Sequence, residues 1–235
     1  MISKLLFFAA ALIGVLFPLF CAYARDNNDQ LQTLHLRSIE AMLICLAPLI
    51  IVLIVFAEPI LTVWLDTTFA LKSAFIMQVL CAGVLIQSLG AISVAVIQAL
   101  GRPDLTAKRH VIQLPFYFLA AWACVQNFGI GGLALVWTGW VVIDAMMLTQ
   151  IIRRLIPKQT SGLGLSLVKL TIGILFVPLV AFPLSTIPDL ILRGMITGIF
   201  IAGFTVGSWK FVLDTGDREI FASKFELYRQ KLRHQ

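Results

Sequence analysis

Long apolar runs separated by short polar breaks dominate the chain, and most runs have the length that crosses a bilayer. A spanning helix takes about 20 mainly apolar residues at roughly 1.5 Å rise each. On that measure the pattern predicts seven spans, over 4–24, 39–56, 74–99, 111–127, 130–152, 167–187 and 190–213. The expected fold class is all-α, a polytopic membrane helix bundle. The connections are short: 25–38, 57–73, 101–110, a tight turn at Phe128 and Gly129, 153–166, and Pro188 with Asp189. None has room for a soluble catalytic domain. The segment 58–71 carries Pro59, Leu61, Val63, Trp64, Leu65 and Phe69, a composition expected to lie in the interface with Trp64 as anchor. In the tail, 214–235, Ile220, Phe221, Phe225, Tyr228 and Leu232 recur near helical spacing among Arg218, Lys224, Arg229, Lys231 and Arg233. That pattern predicts an amphipathic basic surface helix on the inner leaflet, the competing reading being a frayed, solvated terminus.

Composition and charge sharpen this reading. Hydrophobic residues make up 60% of the chain and charged residues 13%, with mean hydropathy +0.95, well outside the range of soluble domains. Threaded as seven alternating spans, fifteen of the eighteen Lys and Arg residues fall on the side of the C-terminus, and only Lys4, Lys72 and Arg193 on the other. The Lys/Arg excess marks the cytoplasmic side, so a cytoplasmic C-terminus is expected. The net charge of +6 is then a topology signal, and nucleic acid is not an expected partner. A rival reading takes Lys4, the following apolar run and Ala22-Tyr23-Ala24 as a signal peptide with its cleavage site. It would invert every later span or force one to be dropped, leaving the positive face outside. Cys21, Cys45, Cys81 and Cys124 sit singly in apolar runs without CxxC spacing, as small core residues do.

An ordered series of short motifs runs through the first part of the chain. It comprises Val15-Leu16-Phe17-Pro18, the polar stretch around Asp26 and Asp29, Arg37, Ser38 and Pro48, then Phe56-Ala57-Glu58-Pro59-Ile60-Leu61 with Trp64-Leu65. It continues with Gln98-Ala99-Leu100-Gly101-Arg102, His110 with Gln113, Leu114 and Tyr117, and Gly129-Ile130-Gly131-Gly132-Leu133-Ala134 up to Asp144. Over about Leu6 to Leu148 this order resembles the second half of the Wzx-type O-antigen and exopolysaccharide flippases of the multidrug/oligosaccharidyl-lipid/polysaccharide exporter superfamily. The resemblance implies one lobe of a two-lobe transporter in the bacterial cytoplasmic (inner) membrane. It further implies a lipid-linked oligosaccharide as passenger, membrane lipids as surroundings, and an N-terminal lobe or partner subunit as the missing half, since alternating access needs two repeats moving against each other.

Candidate chemistry is sparse. Asp144 is the acidic residue deepest in an expected span, which makes it a candidate coupling-ion or proton site; pairing with Arg153 or Arg154 is the structural alternative. Trp137 and Trp140 share its helical face at depths where tryptophan is not a headgroup anchor, so they are candidate cavity walls for sugar rings or else ordinary helix packing. On the third span Gly83, Gln87, Gly90, Ala91 and Gln98 form a small, polar stripe suited to a wet cavity or to a close neighbour helix. Arg102, Lys108 and Arg109 are headgroup-contact candidates at an inner turn. The chain carries no HExxH, no GxSxG and no phosphate-binding glycine loop, so neither a catalytic constellation nor a cofactor or metal is expected. The competing functions are a cation-coupled multidrug exporter lobe, a membrane-embedded enzyme of the same polysaccharide pathway, and a truncated fragment without transport of its own.

Overall fold

The computed structural model of the chain describes residues 3–26, 28–156, 177–185 and 189–212. Its elements are α1 (Ser3–Asp26), α2 (Asn28–Val55), α3 (Ala57–Trp64), α4 (Thr67–Ala99), α5 (Pro103–Leu155), α6, of which 177–184 are among the described residues, and α7 (Leu190–Val212). There is no strand among the described residues. The expected tail helix, 214–235, and the start of the expected sixth span lie outside them.

Helix ends are set by capping chemistry beyond the oily windows, so the helices outrun the predicted spans. α4 begins at Thr67 rather than at 74 because Asp66 caps it, accepting from Thr68 Oγ1 at 2.5 Å and from Thr67 N at 2.7 Å. Those hydrogen bonds, Thr68's first, hold the Asp66 carboxyl below the usual range. α4 ends in a paired C-terminal motif: Gly101, at φ +73°, donates its N–H to Gln98 O, and Arg102 N donates to Ile97 O. Pro103 then opens α5, so of the expected loop 101–110 only Gly101 and Arg102 lie outside a helix. The expected loop 25–38 is likewise mostly helical, because Leu31, Gln32, His35, Ser38, Ile39 and Met42 recur at helical spacing and are buried.

Within α5, Gly129 has φ +60° and ψ −148°, and the chain reverses there. Tyr117 and Trp140 stack edge-on with ring centroids 5.6 Å apart, whereas in a straight helix they would be about 35 Å apart. The stretch is therefore an antiparallel hairpin with arms 103–128 and 130–155, turning at the predicted Phe128-Gly129 pair. Gly132 fits beside the first arm: a Cβ there would meet Cys124 O and Phe128 Cβ, both at 2.7 Å. Because Gly129 occupies a backbone region open essentially to glycine, Gly129→Ala is expected to cost about 1–3 kcal/mol. A fall in the melting temperature of the detergent-solubilised protein would register it, and an unchanged melt would rule the turn conformation out.

Among the described residues four helices are long and apolar enough to cross a membrane, within Leu6–Arg25, Asp29–Val55, Thr67–Ala99 and Pro103–Leu155, against the seven spans expected over the whole chain. The difference has identifiable sources: Pro103–Leu155 contains two expected spans as hairpin arms, and the expected sixth span, 167–187, lies in large part outside the described residues.

α4 is the central element, packed by α1, α2, α3 and α5. Leu46, Ile50 and Ile54 of α2 and Leu85, Ile92 and Ile97 of α4 are fully buried in the core. Polar links lace the α2–α4 seam: His35 Nε2 lies 3.1 Å from Ser93 Oγ, and Gln78 Nε2 donates to Ile54 O at 3.1 Å. Arg193, expected on the outer face, is buried on α7 and donates to Val55 O at 3.4 Å, where a cation meets the negative end of α2. Around α5 the outward surface is apolar, with Val111, Ile112, Phe116, Phe118, Leu119 and Trp122 exposed, as on helices that face lipid.

Candidate functional site: a cleft between α4 and the α5 hairpin

The α5 hairpin lies along α4, and close approach is possible because Gly83 has no side chain. A Cβ there would collide with the Trp137 ring and with Thr138 Oγ1, and Thr138 Oγ1 donates across the same contact to Val79 O at 3.1 Å. Farther along α4 the two elements part, leaving a cleft of about 290 Å³. One wall is Gln87, Gly90 and Ala91 of α4, and the other is Trp137, Trp140 and Asp144 with Arg109, His110 and Gln113. Four sequence candidates, Gln87, Trp137, Trp140 and Asp144, thus meet in one place.

The small stripe on α4 divides between a close helix contact and the cleft lining. Gly83 takes the Trp137 ring as packing, while Gln87, Gly90 and Ala91 face the cleft. Gln98 is exposed and does not line it. Trp140 is held against Tyr117 of the opposite arm, which fixes its indole as a wall.

Arg109 and Asp144 define the electrostatics. Arg109 Nη1 lies 2.6 Å from Asp144 Oδ1, with the guanidinium side chain 5% exposed and the carboxylate 23%. The contact is an ion pair by distance but is poorly directed. Neither Arg109 Nε nor Asp144 Oδ1 has a hydrogen-bond partner, and Nη1 reaches the Asp144 carbonyl only at 3.5 Å. Arg109 Nη2 is 3.1 Å from His110 Nε2; since a guanidinium can only donate, that ring nitrogen is the acceptor. Gln113 Nε2 contacts Met147 Sδ at 3.1 Å.

Arg109 therefore differs from its neighbours Arg102 and Lys108. Those two are exposed at the start of α5, with Lys108 3.7 Å from Asp104 one turn away, whereas Arg109 is turned inward. The carboxylate's partner is Arg109, not Arg153 or Arg154. Sequence reasoning missed the roles of Arg109, His110 and Gln113 in the cleft. Among the described residues no group of His, Cys, Asp and Glu is placed to hold a metal ion.

No protein-family model matches the chain, and no solved structure does. Over 154 residues it is 29% identical to a Shigella flexneri protein described as "Putative O-antigen transporter". The match covers 66% of this chain and 36% of that protein, so the chain aligns with little more than a third of the length of that relative. Taken with the long apolar helices, this likeness fits a membrane protein of the transporter class.

Proposed function

We propose that this chain is the second lobe of a flippase for lipid-linked oligosaccharide or polysaccharide precursors, with the α4–α5 cleft forming part of the passenger's path. The observation that carries the reading is the meeting of two indoles, two amides and an ion pair in one cleft, in a chain similar to an O-antigen transporter by name. Aromatic faces with hydrogen-bonding groups at their edges suit a sugar passenger. The charge distribution supports placement in the inner membrane with the C-terminus in the cytoplasm. Alternating access around the cleft calls for a partner lobe that moves against this one.

The multidrug-exporter reading needs Asp144 free to hold a cationic passenger, and Arg109 already occupies it. Complementation of a flippase-deficient strain tests the proposal. Surface polysaccharide is expected to return when the chain is co-expressed with a first lobe from a related flippase, and not when it is expressed alone. Failure in both settings overturns the proposal.

A further inference from the structure

The charge arrangement of the cleft narrows what it can hold. Three ligand chemistries compete for a site containing a guanidinium and a carboxylate: an anion on Arg109, a cation on Asp144, and a neutral group that uses both. Because Asp144 Oδ1 and Arg109 Nη1 are 2.6 Å apart, an anion approaching Arg109 also meets a carboxylate, and a cation approaching Asp144 also meets a guanidinium. Either one must break the pair and leave a buried charge behind.

A hydroxyl escapes this conflict, since it donates and accepts at once. Arg109 is 7% exposed and its Nε donates to no acceptor, while the Asp144 carboxylate, its Oδ1 held by Arg109 Nη1, is 23% exposed, and both residues line the same cleft. One hydroxyl can accept from Nε while its neighbour donates to the carboxylate, and the ion pair stays intact. Trp140, fixed by Tyr117, supplies a flat apolar face beside them, and Gln87 and Gln113 add amide groups. The volume of about 290 Å³ sits at the low end of small-molecule pockets, which suits a ring-sized ligand rather than a whole oligosaccharide.

We infer that the cleft is a recognition subsite for a neutral sugar ring, with adjacent hydroxyls on Arg109 Nε and the Asp144 carboxylate and one ring face on Trp140, and that Asp144 serves there as a hydroxyl acceptor and not as a coupling-ion ligand. The class of passenger rests on the transport reading above, but the test does not require transport.

The full-length chain in detergent or nanodiscs is titrated with methyl glycosides of glucose, mannose, galactose, rhamnose and N-acetylglucosamine, with inorganic pyrophosphate, and with sodium chloride, while indole fluorescence and heat are recorded. At least one glycoside is expected to bind, with an affinity insensitive to salt because no net charge is exchanged. Trp140→Ala is expected to weaken it by about tenfold or more and Trp140→Phe by much less, in line with stacking on a retained ring. Arg109→Lys keeps the positive charge and loses Nε, so it is expected to fold and still lose about tenfold in affinity. Trp122→Phe, on the exposed apolar surface of α5, serves as the fluorescence control and is expected to change nothing.

Binding of pyrophosphate or of sodium without any glycoside, or no glycoside response at all, overturns the inference. Full affinity in Arg109→Lys overturns it as well. Glycoside binding by a chain that fails complementation in both settings sinks the transport reading and leaves the subsite standing; transport without glycoside binding does the reverse.

Discussion

Asp144→Ala is expected to destabilise the protein more than Arg109→Ala, although both remove the same ion pair. Removing one partner of a buried pair strands the other, at a cost of about 3–5 kcal/mol, here toward the lower end because Asp144 opens to the cleft. The two stranded groups differ in their means of escape. A lone carboxylate can shed its charge by taking up a proton, whereas a guanidinium keeps its charge under all ordinary conditions. Asp144→Ala therefore leaves a permanent cation 5% exposed between apolar arms, with His110 as its remaining side-chain neighbour in hydrogen-bond reach. The paired replacement Arg109→Met with Asp144→Leu removes both charges and is expected to melt close to the unsubstituted protein. It should also abolish glycoside binding, because neither hydroxyl partner survives. Thermal unfolding in detergent of the unsubstituted protein, Arg109→Met, Asp144→Leu and the paired variant forms a double-mutant cycle with a large coupling energy. Additive single effects would show that the two side chains do not interact in the folded protein.

That pair also marks where the sequence ceased to be legible. Asp144, Trp137 and Trp140 lie on one helix, and helical periodicity alone puts them on one face. Gln87 needed only the stripe on α4. Arg109 needed something else, the register of two arms across a turn. The turn at Phe128 and Gly129 was readable, and reflecting position 144 through it lands on 113, one helical turn from Arg109. The signal was present, but the cluster Arg102, Lys108 and Arg109 reads as a cytoplasmic rim by charge count, and charge count cannot tell an inward arginine from an outward lysine. Gln98 failed for the converse reason: its spacing matches the stripe, yet the α4 lining of the cleft ends at Val94, and Gln98 lies beyond it.

Helix lengths were misread for a related reason. Hydropathy windows find the portion soluble in about 30 Å of hydrocarbon, but α4 has 33 residues and so extends about 50 Å. Its ends are set by Asp66 and Gly101, local hydrogen-bonding devices that no hydropathy sum detects. The same holds for residues 28–38, polar enough to resemble a loop yet buried along one helical face by Leu31, His35 and Ser38.

Gly83→Val is expected to pull α5 off α4 and to damage the cleft from outside it. The added atoms would enter space held by the Trp137 ring, whose Cε3 lies 3.0 Å from the position of a Cβ, with Thr138 Oγ1 at 2.9 Å. An indole packed against a neighbouring helix is a rigid obstacle, unlike the free end of a flexible chain, so relief requires the arm carrying it to shift. That shift breaks the Thr138 hydrogen bond to Val79 O and moves Trp140 and Asp144 with the arm. Overpacking of this kind costs about 1–3 kcal/mol, and the displaced cleft residues should reduce glycoside affinity even in protein that still folds. Gly90→Ala provides the comparison, because its Cβ would meet Leu148 Cδ1 at an ordinary 3.5 Å and is expected to be tolerated. The cause is separable from the glycine itself: Trp137→Phe removes the outer ring atoms that collide, so the double variant Gly83→Ala with Trp137→Phe should recover melting temperature relative to Gly83→Ala alone. If the second substitution brings no recovery, the Gly83–Trp137 approach is not what holds the α5 hairpin on α4.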